Sequence, residues 1–128
     1  MVRPLKVLFV SAEVAPFSTV GGLSQVSYFL PRALIKHGLD VRIFTPKYGT
    51  LDEKKFPTTK VMELPVEDLV CNVKTQERTL KGDPIVYFLE NMEYFEKRAN
   101  VYNYVDDPIR FSLLSRGALE FVKSGVFV

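Results

Sequence analysis

Lys6-Val-Leu-Phe-Val-Ser11, Ala12-Glu-Val-Ala-Pro-Phe-Ser-Thr-Val20 and Gly21-Gly-Leu23 form the stretch on which the fold turns. Its order reads as buried strand, mobile loop, glycine pair and helix start. Downstream, Leu23, Val26, Leu30, Ala33 and Leu34 recur at three- and four-residue spacing over Ser24 to His37, which puts one apolar stripe on one side of a helix. Gly38 is placed to end that helix, and Pro31 inside it is expected to bend it or to divide it into two shorter pieces. Asp40-Val-Arg-Ile-Phe-Thr45 reads as a second strand closed by Pro46. A strand, a crossover helix and a second strand in so few residues make a βαβ unit with parallel strands, so the class is α/β.

A strand that delivers a glycine pair to a helix start can hold an anion. Unpaired backbone N–H groups and the positive end of the helix dipole converge there, and glycine lets a ligand approach closely. The chain has no Gly-x-x-x-x-Gly-Lys-Ser/Thr, which excludes a P-loop. It also lacks a Gly-x-Gly-x-x-Gly followed by an acidic residue after the second strand, so a standard dinucleotide fold is disfavoured. Gly21-Gly22 alone leaves two readings open: an anion seat, or a turn that merely needs positive φ or close helix packing.

The remaining sequence is β-rich and then helical. Lys60-Val-Met-Glu-Leu64, Asn72-Val-Lys-Thr-Gln-Glu-Arg-Thr-Leu80 and Ile85-Val-Tyr-Phe-Leu89 favour strands, with Lys81-Gly-Asp-Pro84 as a turn. This β-rich insertion, residues 60–90 or about that, is expected to return to the main sheet. Asp52-Glu-Lys-Lys55 reads as a solvated linker. Asp106-Asp107-Pro108 supplies capping carboxylates and a first-turn proline, and Phe111, Leu114, Ala118, Phe121 and Val122 keep helical spacing to about Ser124. Val126-Phe-Val128 reads as the start of a further connection or strand, as though the α/β alternation were cut midway.

At 128 residues the chain allows one domain with a real core. Seventeen Lys and Arg against 15 Asp and Glu give a net charge of +2 with no basic stripe, which argues against nucleic acid as a partner. No window reaches the length of a membrane span, no signal-peptide pattern opens the chain, and Cys71 stands alone. No disulfide framework or metal cluster is expected, and a reducing cytoplasmic setting fits.

Ser11-Ala-Glu-Val-Ala-Pro-Phe-Ser-Thr-Val-Gly-Gly-Leu-Ser-Gln-Val26, Leu30-Pro-Arg-Ala-Leu34, His37-Gly-Leu-Asp-Val-Arg42 and Pro46-Lys-Tyr-Gly49 together resemble the N-terminal half of bacterial glycogen synthase and plant starch synthase. The resemblance resumes at Tyr94-Phe-Glu-Lys-Arg98, Val101-Tyr102 and Asp107-Pro-Ile-Arg-Phe-Ser-Leu-Leu-Ser-Arg-Gly-Ala-Leu-Glu120, and is vaguer between. Several motifs in the right order are more specific than any one of them. The resemblance implies a retaining glucosyltransferase of GT-B architecture, in which a Rossmann-like parallel sheet with flanking helices forms each half. It implies a nucleotide-sugar donor, ADP-glucose or UDP-glucose, and an α-1,4-glucan acceptor extended at its non-reducing end, with no cofactor and no metal. Residues 1–128 would then be an incomplete N-terminal, acceptor-side domain that lacks the C-terminal nucleotide-binding domain. Such a chain is expected to be inactive alone and able to self-associate through uncovered surface.

The same resemblance places Gly21, Gly22, Leu23 and Thr19 at the donor phosphates, and Glu13, Gln25 and Tyr102 at the sugar and acceptor cleft. Thr19 and Gln25 stand where the family usually has lysine and aspartate, which removes a cation and a carboxylate from the loop. Each residue has a plainer reading: Glu13 as a solvated loop acid, Tyr102 as packing, Arg110 as an anchor, His37 as a helix C-terminal residue, and Cys71 as a small buried hydrophobe. Two other functions stay open, a non-catalytic half that binds glucan or a partner chain, and an unrelated α/β signalling or nucleotide-binding domain.

Overall fold

The computed structural model of the chain describes residues 3–77 and 80–127. One five-stranded sheet, ordered β1-β2-β5-β4-β3, carries a helix on each face. The elements are β1 (Lys6–Val10), α1 (Gly22–Lys36), β2 (Asp40–Pro46), β3 (Thr58–Val66), β4 (Leu69–Gln76), β5 (Ile85–Glu90), a π-helical turn (Met92–Glu96) and α2 (Asp107–Lys123). β1, β2 and β5 are parallel, with Val7 opposite Val41 and Ile43 opposite Val86. β4 runs antiparallel to β5, and β3 to β4, so the expected β-rich insertion is a hairpin that extends the same sheet. The expected strand Asn72 to Leu80 is shorter at its end, and Arg78 and Thr79 within it lie outside the described residues. Val128 lies outside them too, while Phe127 is buried with the Arg42 guanidinium 4.6 Å from its ring centre.

Period-two alternation divides the core. Phe44, Tyr87 and Leu89 point to the α2 face, where Phe121 stacks on Phe44 at 5.3 Å between ring centres. Leu114 and Ala118 join them, as the spacing predicts, whereas Val122 is exposed. Ile43, Val86 and Phe88 point to the other face, against Val14 and Phe17 of the loop after β1.

α1 presents a different side to the molecule than its hydrophobic periodicity suggests. Leu23, Val26 and Leu30 are 44%, 51% and 43% exposed, and the buried residues are Ser24, Ser27 and Pro31. Small residues at that spacing let the helix lie close to the loop, and their hydroxyls find acceptors: Ser24 Oγ donates to Gly21 O at 2.7 Å, Ser27 Oγ to Leu23 O at 2.9 Å. The helix runs through Pro31 as one element rather than two. His37 is its C-cap, and Gly38 at φ +88° turns the chain toward β2.

At the C-terminal ends of β2 and β5, buried Lys47 holds three carboxylates: Glu96 at 2.6 Å, Glu53 at 3.0 Å and Glu90 at 3.3 Å. Asp52-Glu-Lys-Lys55 is thus more than a solvated linker, because Glu53 pairs with Lys47 and Asp52 accepts from the Lys54 amide at 3.0 Å. Burial pushes the Glu90 carboxyl up, but hydrogen bonds with Glu96, Lys74 and Asn72 outweigh it and bring it down to about 2. Contact with Lys47 holds Glu53 below its ordinary value. Carboxylates depressed in the folded state stabilise it above their unfolded pKa and cease to do so as pH falls through the folded value. Urea midpoints should therefore fall as pH is lowered from about 4.5 to about 2, and should change little with pH on account of this cluster at neutral pH, where its stabilisation is fully present.

Gly49 follows at a close approach, where an added Cβ would run into the backbone carbonyl oxygen of Glu96. Backbone cannot step aside as a side-chain tip can. Gly49→Ala should lower the unfolding free energy by about 1–3 kcal/mol, read from urea denaturation at pH 7.

Candidate functional site

The chain leaves β1 on a loop that is built rather than mobile. Ser11 N–H extends the ladder by donating to Phe44 O at 3.1 Å, and Ser11 Oγ lies 2.8 Å from Ser27 Oγ on α1. Ser18 Oγ accepts from the Val14 amide at 3.0 Å, the Ala15 amide donates to Ser24 O at 3.2 Å, and Phe17 meets Phe88 edge-on at 5.2 Å. These contacts lock residues 11–20 to the sheet on one side and to α1 on the other.

Glu13 sits at the centre. It is 2% exposed, and its Oε1 accepts from the amides of Gly21 at 3.0 Å, Ser24 at 3.2 Å and Val20 at 3.4 Å. Burial pushes this carboxyl up, yet the Tyr102 hydroxyl and the three amides outweigh it and hold the group below its ordinary value. The expected sugar-facing carboxylate is therefore turned inward. A chain of amides at a helix start attracts the nearest anion, and here that anion is the protein's own.

Above it, Gly21 and Gly22 are exposed, neither has positive φ, and an added Cβ on either would meet nothing within 4 Å. A turn that needs positive φ or close packing is thus not why glycine stands there. The first-turn amides of Gly22 and Leu23 find no acceptor among the described residues. Thr19 and Gln25 are exposed on either side of the pair and make no side-chain hydrogen bond among the described residues.

Tyr102 arrives from the far end of the sequence. Its hydroxyl lies against Glu13, and burial together with that neighbour pushes its pKa up. Its ring packs on Phe111 at 5.7 Å, so the packing reading and the site reading both hold for this residue. The segment that carries it is pinned by Arg110, which is 0% exposed. Arg110 Nε donates to Tyr94 O at 2.7 Å, and its Nη1 to Val101 O and Asp107 Oδ1, each at 2.8 Å. Arg110 is accordingly an anchor. Asp106, expected to cap α2 with its side chain, makes no such bond. Arg98 takes both its oxygens, at 2.8 and 2.6 Å, while Asp107 accepts from the Asn103 amide at 2.9 Å.

The structure thus brings Glu13, the glycine pair and Tyr102 together, with Leu23, Thr19 and Gln25 at the exposed rim. Cys71 is a buried strand residue whose thiol burial pushes up, and its Sγ is 3.7 Å from Asn91 Nδ2. Sequence reasoning missed Tyr48, whose hydroxyl donates to Ala12 O at 2.6 Å and ties the end of β2 to the loop after β1. It also missed the serine face of α1, for which the spacing of Ser24, Ser27 and Pro31 was the available signal.

The family described as starch synthase catalytic domain matches residues 6–127. The glycogen synthase of Caldicellulosiruptor saccharolyticus is 39% identical over 125 residues, 92% of this chain and 25% of that protein. That of Lacticaseibacillus casei is 40% identical over 126 residues, 93% of this chain and 25% of that protein. Among solved structures, the catalytic domain of starch synthase IV from Arabidopsis thaliana, bound to ADP and acarbose, aligns with a TM-score of 0.77 at 32% identity. It covers 95% of this chain and 26% of that one. The chain spans about a quarter of the length of the curated relatives it matches.

Because Arg110 holds two loop carbonyls and a carboxylate without solvent access, Arg110→Ala should cost on the order of 3 kcal/mol. Loss of exchange protection should be concentrated at Asn103 and its neighbours, which amide hydrogen exchange would resolve. Uniform destabilisation across the sheet would contradict the anchoring role.

Proposed function

We propose, from the premise that the chain belongs to the starch synthase catalytic-domain family, that it forms the N-terminal, acceptor-side part of a GT-B glucosyltransferase. Its donor is a nucleotide sugar, ADP-glucose or UDP-glucose, and its acceptor the non-reducing end of an α-1,4-glucan. The observation that carries this reading is the glycine pair: exposed, unconstrained by φ or packing, and followed by two first-turn amides with no acceptor. Gly21 also serves as the N-cap of α1, but Gly22 is a glycine that the fold does not need and that a ligand close to the backbone explains.

In this reading the amides of Gly22 and Leu23 meet the donor's diphosphate. As the glycosidic oxygen takes up charge and the nucleoside diphosphate departs, preorganised N–H groups at a helix start stabilise that charge without reorientation. Thr19 adds a hydroxyl and no cation, so further positive charge has to come from outside residues 1–128, where the proposed nucleotide-binding domain would close over the cleft. Gln25 can hydrogen-bond sugar hydroxyls from the helix side, and Tyr102 lines the opposite rim with its hydroxyl oriented by Glu13. The ADP and acarbose bound to the Arabidopsis domain are a nucleoside diphosphate and a glucan-like oligosaccharide, which supports a donor and an acceptor of these two classes.

Gly22→Ala separates a ligand's need from the fold's. Alanine is sterically tolerated and favours the helix, so stability should hold or rise by about 0.4–1 kcal/mol. Shifts of the Gly21 to Ser24 amides on titration with ADP should shrink at least several-fold. Undiminished ADP shifts in a well-folded Gly22→Ala variant would remove the donor-phosphate reading.

A further inference from the structure

A carboxylate already fills part of the seat that an external phosphate is proposed to use. The Glu13 Oε1 gathers the Gly21 and Ser24 amides at 3.0 and 3.2 Å, with Val20 at 3.4 Å, from beneath the loop and out of solvent. The next two amides along the chain, Gly22 and Leu23, are exposed and have no acceptor. A loop of five consecutive residues is thereby sorted into amides that face inward and amides that face outward.

We propose that Glu13 is a positioning residue that acts as a resident anion: it fixes the glycine loop and reserves the Gly22 and Leu23 amides for an incoming diphosphate. This rests on the reading of the loop as the donor-phosphate site. Without the carboxylate, the Gly21 amide would be free to turn toward the ligand and the Ser24 amide would keep only its 3.3 Å bond to Gly21 O, and the phosphates would lose a single register. The fixed negative charge also repels the ligand's own charge, and Thr19 at the rim offers no cation to offset it. Discrimination in this arrangement comes from geometry, at some cost in affinity. Glu13 touches no reacting atom and works through the loop and through Tyr102, which bears on the same carboxylate.

The test uses the chain with Glu13→Gln and Glu13→Ala variants, observed by amide NMR. Glutamine keeps a carbonyl oxygen where Oε1 stands, whereas alanine leaves the Gly21 amide without an acceptor and the Ser24 amide with only Gly21 O at 3.3 Å. Without ligand, exchange protection of the Gly21 amide should persist in Glu13→Gln and be lost in Glu13→Ala, and that of Ser24 should be weakened in Glu13→Ala. Core amides such as Phe44 and Phe88 report that both variants remain folded. Titrated with inorganic pyrophosphate, the wild type should shift Gly22 and Leu23 while Gly21 and Ser24 stay nearly still. Glu13→Gln should keep that pattern and bind ~3–10-fold tighter, because a like charge has been removed. Glu13→Ala should spread the response to Gly21 and Ser24, a change that a merely structural role would not produce.

Protection of Gly21 that survives in Glu13→Ala, or equal pyrophosphate shifts at all four amides of the wild type, overturns the positioning role. Pyrophosphate shifts at none of the four amides, with the ligand-free pattern as expected, overturns the diphosphate reading and the reservation of amides with it. Should Glu13→Ala fail to fold, the Glu13→Gln affinity decides: no gain over wild type overturns the proposal.

Discussion

Parallel pairing of β1, β2 and β5 sends three chain exits to the same edge of the sheet, and most of the described polar structure follows from that constraint. A loop leaving a parallel strand has no hairpin partner for its backbone, so its amides and carbonyls need acceptors and donors from other segments. Glu13 serves the loop after β1, Tyr48 links that loop to the end of β2, and Lys47 binds the end of β2 to the turn after β5. The Tyr48 and Lys47 ties join segments far apart in sequence, whereas Glu13 binds amides seven to eleven residues along its own loop. The edge they consolidate is also where ligands of open α/β sheets bind, because the loops there are free to vary while the strands beneath are fixed.

Three of the ties place an ionised side chain almost out of water, which is favourable only if the ion is fully engaged. Lys47 meets the condition with three carboxylates and Glu13 with three amides and a phenol, whereas Arg110 engages two carbonyls and a carboxylate through Nε and Nη1 and leaves its buried Nη2 without an acceptor among the described residues. Glu13 differs from the others in having no formal cation. Its partners are dipoles of the loop and of the α1 terminus, so its charge is stabilised only while those backbone groups keep their orientation. The loop's conformation and the ionisation of Glu13 therefore depend on one another. The opposite face of α1 shows the same priority of backbone over side chain: serines lie inward where hydroxyls can bond carbonyls, and Leu23, Val26 and Leu30 are left outside.

Elements whose formation is decided by local pattern were legible. The βαβ unit followed from the apolar run at Lys6, the helical spacing after Gly21 and the second run at Asp40, and a β-rich insertion from β-forming composition on either side of Lys81-Gly-Asp-Pro84, although the turn at Glu67 and Asp68 that makes β3 and β4 a hairpin was not read. Orientation was not legible. Periodicity states that α1 has an apolar stripe but not what that stripe lies against, and the serines that face inward resemble ordinary surface residues. Asp106 shows the same limit: as a capping residue it is locally persuasive, yet Arg98 offers it a bidentate partner and the side chain turns away from the helix. Glu13 was singled out through the family motif, but its amides lie seven to eleven residues away, so no short-range rule connects them.

Glycine is the residue whose reasons can be sorted most sharply once coordinates are known. Gly49 has no room for a methyl group because the carbonyl of Glu96 occupies the place, and Gly38 has a backbone angle that other residues adopt at a cost. Gly21 and Gly22 have neither reason: the space beside them is open and their backbone is ordinary. Gly21 is the N-cap of α1, a position where glycine is tolerated far better than alanine. Gly22, inside the first turn, has no such reason, and there glycine is destabilising relative to alanine through the freedom it gives the unfolded state. Its open backbone and unpartnered amide, between two amides that Glu13 has taken, are what the proposed diphosphate site would use.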